Sequence, residues 1–541
     1  MKATLLSSLV KVFKDTEPNC TEFSFFNALK GEEFSFQLSL LAENDGETDI
    51  TISLDSPLKD NISMFIVRNM PTVKTGYDNS DSFHYDMKRK EFPDLLEPID
   101  GKVAIPAGEY HSVWFTVAPQ TELCGEMPIN ITISAGSQVI EKTFTLTIID
   151  AMLPEQKLLF TNWFHNDCLC TYYKVEVFSD EYWRIVENYI KNAVAHGVNM
   201  LLTPVFTPPL DTEVGGERPT IQLVKVTKDS NGYSFDFTQF EKYVDVCLRC
   251  GIKAFEISHF FTQWGAEHAP KIMATVDGEE KRIFGWETEA AGDEYKAFLT
   301  SFAPAFRQET EKLGIKELCW VHVSDEPNEK QLENYKKAAD IIKELFPDFN
   351  SLDALSDIEY FRNGLIKTPV CGEGEADVFR AEVKNFWTYY CCTQVDKYLP
   401  NRLFAMPSLR NRILGTLLYK YDAQGFLQWG HNFWFTQYSK KAINPYEVTD
   451  AGNAFPSGDA FVVYPGEDGK PLNSLRHLVF HDGFQDMRAL RLLEELTSRE
   501  YVLKFIEKDL YNPLTFRTYP HEANWLLGLR YLINEEIAKN I

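Results

Sequence analysis

Residues 1–152 alternate apolar and polar side chains over short runs separated by turn-forming residues. Alternation over four to eight residues is typical of a half-buried β-strand. Five runs show it most clearly: EEFSFQLSLLAE (32–43), DITISLD (49–55), HSVWFTVAP (111–119), INITISAG (129–136) and KTFTLTIID (142–150). Helical periodicity is nearly absent here, so the pattern predicts an antiparallel β-sandwich over residues 1–152. Residues 69–102 are expected to form a long loop that reaches beyond the sheets, and residues 151–157 a linker.

From residue 157 onward the pattern changes to strand-like runs that alternate with amphipathic helical segments. Eight runs are candidate strands: KLLFTNWFH (157–165), VNMLLTPV (198–205), IKAFEISHF (252–260), ELCWVHVSDE (317–326), FNSLDALS (349–356), TPVCGE (368–373), NFWTYYCC (385–392) and GFLQWGHNFW (425–434). Eight strand–helix units predict a (β/α)8 barrel of the TIM type, which we place at residues 153–440. Residues 441–541 are expected to be a small C-terminal extension packed on the barrel.

Composition narrows the range of partners. The formal net charge of −25 leaves no excess of Lys and Arg for phosphates, which argues against nucleic acid and against an anionic membrane surface. No apolar run reaches the length of a membrane span. The N-terminal run MKATLLSSLVKVFKD is interrupted by Lys11 and has no small-residue cleavage site, so we expect no signal peptide and a cytoplasmic location.

Metal and cofactor motifs are missing from the sequence. The ten Cys residues include one C-x-C and one adjacent pair, which do not match a zinc-ligand spacing. The sequence also contains no H-E-x-x-H motif, no glycine-rich phosphate loop and no nucleotide fingerprint. We therefore expect no metal and no cofactor.

Two adjacent acidic residues, Asp325 and Glu326, end the fourth candidate strand within WVHVSDEPNEK (320–330). Barrel active sites lie at the carboxyl ends of the strands. In a regular strand the two side chains would point to opposite faces, and burying an unpaired carboxylate is costly, so we expect the strand to end here. Pro327 restricts Glu326 to extended or polyproline geometry and delays the next helix until Asn328, its expected cap. Both carboxylates then face the barrel mouth; the alternative is a solvated acidic helix start.

The carboxylate pair is compatible with two kinds of glycoside hydrolysis. In the common retaining mechanism, a second carboxylate acts as nucleophile about 5 Å from the acid/base. Many barrel glycosidases carry the acid/base in Asn-Glu-Pro after strand four and a nucleophilic Glu after strand seven. The DEP sequence is similar to the first, but the seventh run, NFWTYYCCTQ (385–394), contains no Glu. In substrate-assisted hydrolysis the sugar's own 2-acetamido oxygen attacks the anomeric carbon, so an adjacent Asp-Glu pair is sufficient.

Five motifs then occur in a particular order along the chain. They are HVSDEP (322–327), GFLQWGHNFW (425–434), GDAFVVYPGEDG (458–469), SLR (474–476) and DGFQDMRAL (482–490). With the sandwich-then-barrel order, this set resembles glycoside hydrolase family 123. The resemblance implies a retaining exo-acting β-N-acetylgalactosaminidase that uses neighbouring-group participation, with a glycan or glycolipid bearing a terminal 2-acetamido sugar as its partner. It also implies that Asp325 orients the acetamido group and that Glu326 is the general acid/base. Met487 and Arg488 depart from the residues that relatives often carry after DGFQD.

Further candidates for substrate contact are aromatic and polar residues near the predicted strand ends, where rings stack on sugar faces. They are His165, Trp264, Trp387, Tyr389, Trp429, Asn432 and Trp434. Tyr389 is also a candidate donor to the acetamido carbonyl. For each of them the alternative is core packing.

Two other functions stay open at this point. One is a two-carboxylate retaining glycosidase of other specificity, with Glu256 or Glu373 as nucleophile. The other is a catalytically silent carbohydrate-binding protein. The sugar epimer, the linkage and the oligomeric state are not determined by the sequence.

Overall fold

In the computed structural model, which describes residues 1–43, 46–327 and 329–541, ten strands form two facing five-stranded sheets at the N-terminal end. The strands are β1 (Lys2–Ser7), β2 (Phe25–Lys30), β3 (Phe34–Leu41), β4 (Glu47–Asp55), β5 (Ile62–Pro71), β6 (Glu91–Pro98), β7 (Lys102–Pro106), β8 (Tyr110–Val117), β9 (Gly125–Ala135) and β10 (Gln138–Met152). The sheet orders are β1-β3-β8-β5-β6 and β2-β10-β9-β4-β7. Phe36 stacks on Phe115 of its own sheet and on Phe144 of the facing sheet, with ring centroids 4.8 and 4.3 Å apart. The alternating residues thus supply a core between the sheets, as predicted.

The segment predicted as a loop, residues 69–102, is only partly a loop. Strand β6 lies inside it and pairs antiparallel with β5 at the edge of its sheet. Pro93 and Pro98 concealed this strand, because proline is compatible with a sheet mainly at an edge. The remaining loop, residues 72–90, does reach beyond the sheets, since Asp81 forms a 2.7 Å ion pair with Arg410 of the following domain.

Eight parallel strands, each followed by at least one helix, form the closed barrel in the described part of the chain. In chain order the elements are β11 (Leu159–Asn162), α1 (Asn166–Tyr173), α2 (Asp180–Ala195), β12 (Met200–Thr203), β13 (Lys225–Asp229), β14 (Gly232–Asp236), α3 (Thr238–Cys250), β15 (Ala254–Ile257), β16 (Ile272–Val276), β17 (Glu279–Phe284), α4 (Asp293–Lys312), β18 (Cys319–Val321), α5 (Leu332–Leu345), β19 (Asn350–Ala354), α6 (Glu359–Arg362), β20 (Thr368–Gly372), α7 (Ala376–Glu382), β21 (Trp387–Tyr389), α8 (Ser408–Lys420) and β22 (Gly425–Gln428). Strands β13, β14, β16 and β17 form a separate four-stranded sheet.

The barrel strands follow the order β11-β12-β15-β18-β19-β20-β21-β22, and each lies inside the run predicted for it. The predicted helix between the third and fourth strands is α4, which buries Tyr295, Phe298, Leu299, Phe302 and Phe306 on one face. The expected cap of α5, Asn328, lies outside the described residues.

The C-terminal elements are β23 (Val463–Pro465), β24 (Pro471–Asn473), α9 (Leu475–Leu496), α10 (Arg499–Ile506) and α11 (Ala523–Asn540). In α9, the rings of Phe480 and Phe484 pack on Phe160 of β11, with centroids 5.1 and 4.7 Å apart. Helix α9 therefore covers the seam between β22 and β11 and completes the barrel's helical layer. The first helix of the region expected to be an extension is thus a barrel helix, and residues 429–474 separate it from its strand, β22.

Buried ion pairs join the sandwich to the barrel. Arg476 of the SLR motif donates to Asp94 of β6 at 2.7 and 2.9 Å, and the Tyr464 hydroxyl donates to the same carboxylate at 2.6 Å. Arg530 of α11 pairs with Glu32 at 2.7 Å. Two of the motifs recognised in the sequence therefore hold the domains together. In the described part of the chain, no helix combines the length and the apolar character that crossing a bilayer requires.

Candidate active site

A cleft with about 670 Å³ of empty space opens at the carboxyl ends of the barrel strands. The lining residues are Trp163, Leu210, Asp211, Gln263, Trp264, Asp325, Glu326, Ala354, Tyr389, Cys391, Cys392, Leu427, Trp429, Gln437 and Phe455. Most of them lie in segments that directly follow barrel strands, which is where the fold places catalytic groups.

Asp325 and Glu326 both line this cleft. Strand β18 ends at Val321, so the pair lies in a turn beyond the strand rather than at its last residues. Glu326 has φ +42°, in the left-handed region, and the expected extended geometry before Pro327 was wrong. Such a backbone costs roughly 1–2 kcal/mol and must be held by its surroundings. Here the Glu326 N–H donates to the Ala354 carbonyl at 3.0 Å, and this contact fixes the turn.

The two carboxyl groups have different environments. Asp325 is only 9% exposed, and burial together with the neighbouring charge of Glu326 raises its pKa well above the ordinary value. Glu326 is exposed, and its Oε1 accepts a 2.6 Å hydrogen bond from the Tyr389 hydroxyl. Burial also raises the pKa of Tyr389, so this hydroxyl stays protonated and donates. The site therefore combines a buried carboxyl group whose pKa is raised with an exposed carboxyl group oriented by a tyrosine.

A charged triad lies within the barrel mouth, formed by Glu256, His322 and Asp353, all fully buried. The His322 ring nitrogens lie 2.9 Å from Asp353 Oδ1 and 2.6 Å from Glu256 Oε1. Burial lowers the pKa of His322, but hydrogen bonds to the two carboxylates outweigh burial and raise it to about 9. Trp163, which lines the cleft, donates from Nε1 to Glu256 at 2.8 Å. The triad thus supports one wall of the cleft.

Within the described residues, one group has metal-ligand geometry: His259, His322 and Asp353 bring ligand-type atoms within 4.8 Å of one another. The His259 ring stacks on His322 with centroids 4.0 Å apart. However, both nitrogens of His322 already interact with carboxylates, so the group is better described as an ion-paired cluster than as a metal site.

Three of the seven predicted substrate-contact residues line the cleft: Trp264, Tyr389 and Trp429. Trp264 is 38% exposed at the rim, and its N–H donates to the Asp325 carbonyl at 2.9 Å. Trp429 donates from Nε1 to Asp459 at 2.9 Å. The structure therefore brings these aromatic residues together with the carboxylate pair.

The other four predicted contacts are buried elsewhere. His165 lies behind Trp429, with Nε2 2.9 Å from the Trp429 carbonyl, and Asn432 exchanges hydrogen bonds with the His165 backbone at 2.9 and 3.1 Å. Trp387 packs in the barrel core beside Trp320, and Trp434 packs on Tyr172 and Tyr189. Their placement does not support substrate contact. Asn432 and Trp434 were expected to face the cleft as part of the eighth strand. Strand β22 ends at Gln428, however, so the alternation of side chains along a strand does not apply to them.

Several lining residues were missed in the sequence, notably Asp211, Gln263 and Gln437. Asp211 follows β12, and burial raises its pKa to about 6. The sequence offered one indication of Asp211, namely that it is a polar residue shortly after a predicted strand, as Asp325 is. Glu256 and Glu373, the alternative nucleophiles, are not among the lining residues; Glu373 is fully buried, and burial raises its pKa well above the ordinary value.

Comparison with solved structures shows the same architecture in a distant relative. A family 123 glycoside hydrolase from Clostridium perfringens, studied for glycolipid glycan hydrolysis, matches with a TM-score of 0.75 at 15% identity, over 99% of this chain and 97% of its own. The β-glucuronidase of Parabacteroides merdae matches with a TM-score of only 0.33 at 12% identity, over 89% of this chain and 51% of its own. This similarity is too low to indicate a common fold or function.

Comparison of the sequence with curated proteins gave no match. The family model for the glycoside hydrolase 123 catalytic domain, however, matches residues 163–493, which is more than half of the chain. That range begins directly after β11 and ends within α9, so it covers the other seven barrel strands and every residue that lines the cleft. The chain therefore belongs to glycoside hydrolase family 123.

Proposed function

We propose that this protein is a retaining exo-glycosidase that removes terminal β-linked N-acetylgalactosamine from glycans or glycolipids, with the substrate's 2-acetamido group as the nucleophile. The observation that carries the proposal is that Asp325 and Glu326 line one cleft, while the seventh barrel strand contributes its last residue, Tyr389, and the segment after it contributes Cys391, with no glutamate. An adjacent pair is what substrate assistance needs, because the attacking atom belongs to the sugar.

Asp325 is assigned to the acetamido group. In the first step the acetamido oxygen bonds to the anomeric carbon as the glycosidic bond breaks, and positive charge develops on the amide nitrogen. A carboxylate that accepts the N–H hydrogen bond stabilises this charge. Asp325 suits this role because it lines the cleft and is almost fully buried, so little water weakens its interaction with the acetamido group.

Glu326 is assigned to the leaving group and then to water. It gives its proton to the departing glycosidic oxygen, and in the second step it accepts a proton from the water that attacks the anomeric carbon and opens the oxazoline-type intermediate. Two displacements at one carbon retain the β-configuration. The exposure of Glu326 supports this assignment, because the leaving group and the water must both reach it from solvent.

The test compares aryl 2-acetamido-2-deoxy-β-galactosides with the corresponding plain aryl β-galactosides. We expect turnover of the acetamido substrates and very slow turnover of the plain ones, because only the former carry the nucleophile. Equal rates on both would exclude participation. The matching 2-acetamido-glucosides report the preference at C4.

A two-carboxylate mechanism is the second candidate, since Asp211 also places a carboxylate in the cleft. A covalent sugar trapped on Asp211 with a 2-fluoro glycoside would establish that mechanism. Sugar binding without turnover of any aryl glycoside would instead indicate a silent carbohydrate-binding protein.

A further inference from the structure

One wall of the cleft has polar groups that the proposed mechanism does not use. Asp211 follows β12 and Gln263 follows β15, and both line the cleft. The Asp211 N–H donates to Gln263 Oε1 at 2.6 Å. This bond occupies the amide oxygen of Gln263 and thereby fixes which way the side-chain amide is turned.

Among the residues that the structure describes, none accepts a hydrogen bond from the amide nitrogen of Gln263. Gln263 is only 7% exposed, and among the described residues its Nε2 is buried without a hydrogen-bond acceptor. An unsatisfied buried donor costs roughly 1–3 kcal/mol, so proteins rarely keep one unless a ligand completes it. A cleft-lining donor of this kind therefore points to an acceptor atom on the bound molecule.

The Asp211 carboxylate supplies the complementary group. Its Oδ2 accepts from the Tyr438 N–H at 2.9 Å, and in the described part of the chain Oδ1 makes no hydrogen bond. The Asp211 backbone has φ +40°, and its carbonyl accepts from the Ser439 hydroxyl at 2.7 Å. The residue is thus held in a strained conformation by neighbours on another loop, which is typical of positions kept for function.

The surroundings fix this wall relative to the carboxylate pair. Trp264, the residue after Gln263, donates its N–H to the Asp325 carbonyl at 2.9 Å. On the other side, Arg218 donates to the Leu210 carbonyl at 2.8 Å while it forms a bidentate ion pair with Asp167 at 2.7 and 2.8 Å. The free donor and the free acceptor therefore stand in one preorganised unit with the catalytic turn.

A sugar hydroxyl can bind to Asp211 Oδ1 and Gln263 Nε2 at the same time, because it donates one hydrogen bond and accepts others. We propose that Asp211 and Gln263 together bind one ring or C6 hydroxyl of the terminal sugar: its proton goes to Asp211 Oδ1 and its oxygen accepts from Gln263 Nε2. These two residues then determine which sugar the cleft accepts. The inference rests on the proposed function and adds specificity-determining residues to it.

The experiment measures kcat/KM for the parent aryl 2-acetamido-2-deoxy-β-galactoside and for its 3-, 4- and 6-deoxy analogues. We expect wild-type protein to lose roughly 100-fold on one analogue, because a site built for a hydroxyl rejects the analogue without it. Asp211→Asn and Gln263→Leu should each lose about 10- to 100-fold on the parent and less than about threefold on that same analogue. The deoxy analogue whose kcat/KM the two substitutions change least identifies the hydroxyl that Asp211 and Gln263 bind.

A matched control is Asp277→Asn. Asp277 is exposed in the β16–β17 turn with φ +53°, so the same substitution is made in the same backbone region away from the cleft. We expect unchanged kinetics. A loss by Asp211→Asn and Gln263→Leu of equal size on the parent and on all three analogues would overturn the proposal. Uniform loss by Asp211→Asn, with azide restoring turnover as a glycosyl azide, would instead make Asp211 the nucleophile and also overturn it.

Failure of the proposed function is distinguishable from failure of this inference. If plain galactosides are hydrolysed as fast as acetamido substrates, participation fails, but the deoxy series run on galactosides still decides the role of Asp211 and Gln263. If nothing is turned over, calorimetric titration with free N-acetylgalactosamine and its deoxy analogues measures the same coupling as a ratio of Kd values. Absence of both turnover and binding would overturn both proposals.

Discussion

The hydroxyl of Tyr389 donates a 2.6 Å hydrogen bond to Oε1 of Glu326, the exposed member of the carboxylate pair. The bond joins the turn after the fourth barrel strand, β18, to the end of the seventh, β21. We predict that Tyr389→Phe lowers kcat/KM about tenfold, since one orienting hydrogen bond contributes about 1–1.5 kcal/mol. Steady-state kinetics on an aryl acetamido glycoside measures this. Tyr390→Phe is the matched control, because the buried Tyr390 hydroxyl has no partner in the described residues; equal losses in both variants would contradict the role of Tyr389.

Glu326→Gln should separate substrates by their leaving groups. The variant cannot give a proton, so aryl substrates whose phenols leave unaided should lose far less rate than natural glycosides. Asp325→Asn should slow all of them by a similar factor, because every substrate needs its acetamido group held. A series of aryl glycosides with phenols of increasing pKa measures both. A uniform loss in Glu326→Gln would contradict its role as acid.

The pH dependence should report Asp325. This group must be ionised to accept the acetamido N–H, and burial and Glu326 raise its pKa well above the ordinary value of about 4. Activity should therefore rise with pH along an acidic limb that lies well above pH 4. Burial is the largest cause of the raised pKa, so in Glu326→Gln, measured on an aryl substrate with a good leaving group, the limb should still lie well above pH 4. The pH profile of kcat/KM measures this, and a wild-type limb near pH 4 would contradict the role of Asp325.

His322 should contribute to stability rather than to chemistry. It lies between Glu256 and Asp353 with its pKa raised to about 9, so His322→Gln leaves two buried carboxylates without their cation. We predict a loss of about 3–5 kcal/mol in the free energy of unfolding, measured in urea. His111→Gln, which removes a contact with the more exposed Glu109, should cost less than about 1 kcal/mol.

The contribution of His322 should also depend on pH in one direction. Its folded pKa of about 9 exceeds the unfolded value of about 6.5, so the stabilisation is complete below pH 6.5 and is lost as the pH rises through 9. The difference in unfolding free energy between wild type and His322→Gln should therefore shrink between pH 7 and pH 10. A constant difference over that range would mean that His322 is neutral in the folded protein.

The barrel strands could be located from the sequence because strands buried on both faces are continuous apolar runs. Two elements, β6 and α9, were not predicted correctly, because their place in the fold depends on contacts with residues distant in the sequence. Strand β6 contains Pro93 and Pro98 but lies at a sheet edge, where proline is tolerated. Helix α9 is separated from β22 by residues 429–474, so the regular alternation of strands and helices in the sequence did not indicate that it belongs to the barrel.

The candidate site was predictable where a residue type common in sugar sites lies near the end of a predicted strand, as for the carboxylate pair and for Trp264, Tyr389 and Trp429. Asp325 and Glu326 are adjacent, and their position after an apolar run was enough to place them at the barrel mouth. The local rule for a residue before proline was wrong for Glu326, because its contact with Ala354 holds φ at +42°. Asp211 and Gln263 come from different loops and meet through backbone conformations that no short motif encodes.

The crossing of α8 and α9 depends on two glycines, and one of them belongs to the DGFQD motif. A Cβ atom on Gly415 would overlap the carbonyl of Gly483, and one on Gly483 would lie 2.8 Å from the Arg412 carbonyl. Because these neighbours are backbone atoms, the helices would have to move apart. We predict that Gly415→Ala lowers the free energy of unfolding by about 3 kcal/mol, the upper end for overpacking.

Gly528→Ala provides the matched control for this crossing. Gly528 lies within α11, and a Cβ atom there would meet nothing within 4 Å. The same substitution should therefore raise stability by about 0.5–1 kcal/mol, because alanine loses less conformational entropy in a helix than glycine does. Urea unfolding of the two variants side by side measures the difference. If Gly415→Ala were as stable as Gly528→Ala, close helix contact would not be the reason for glycine in this motif.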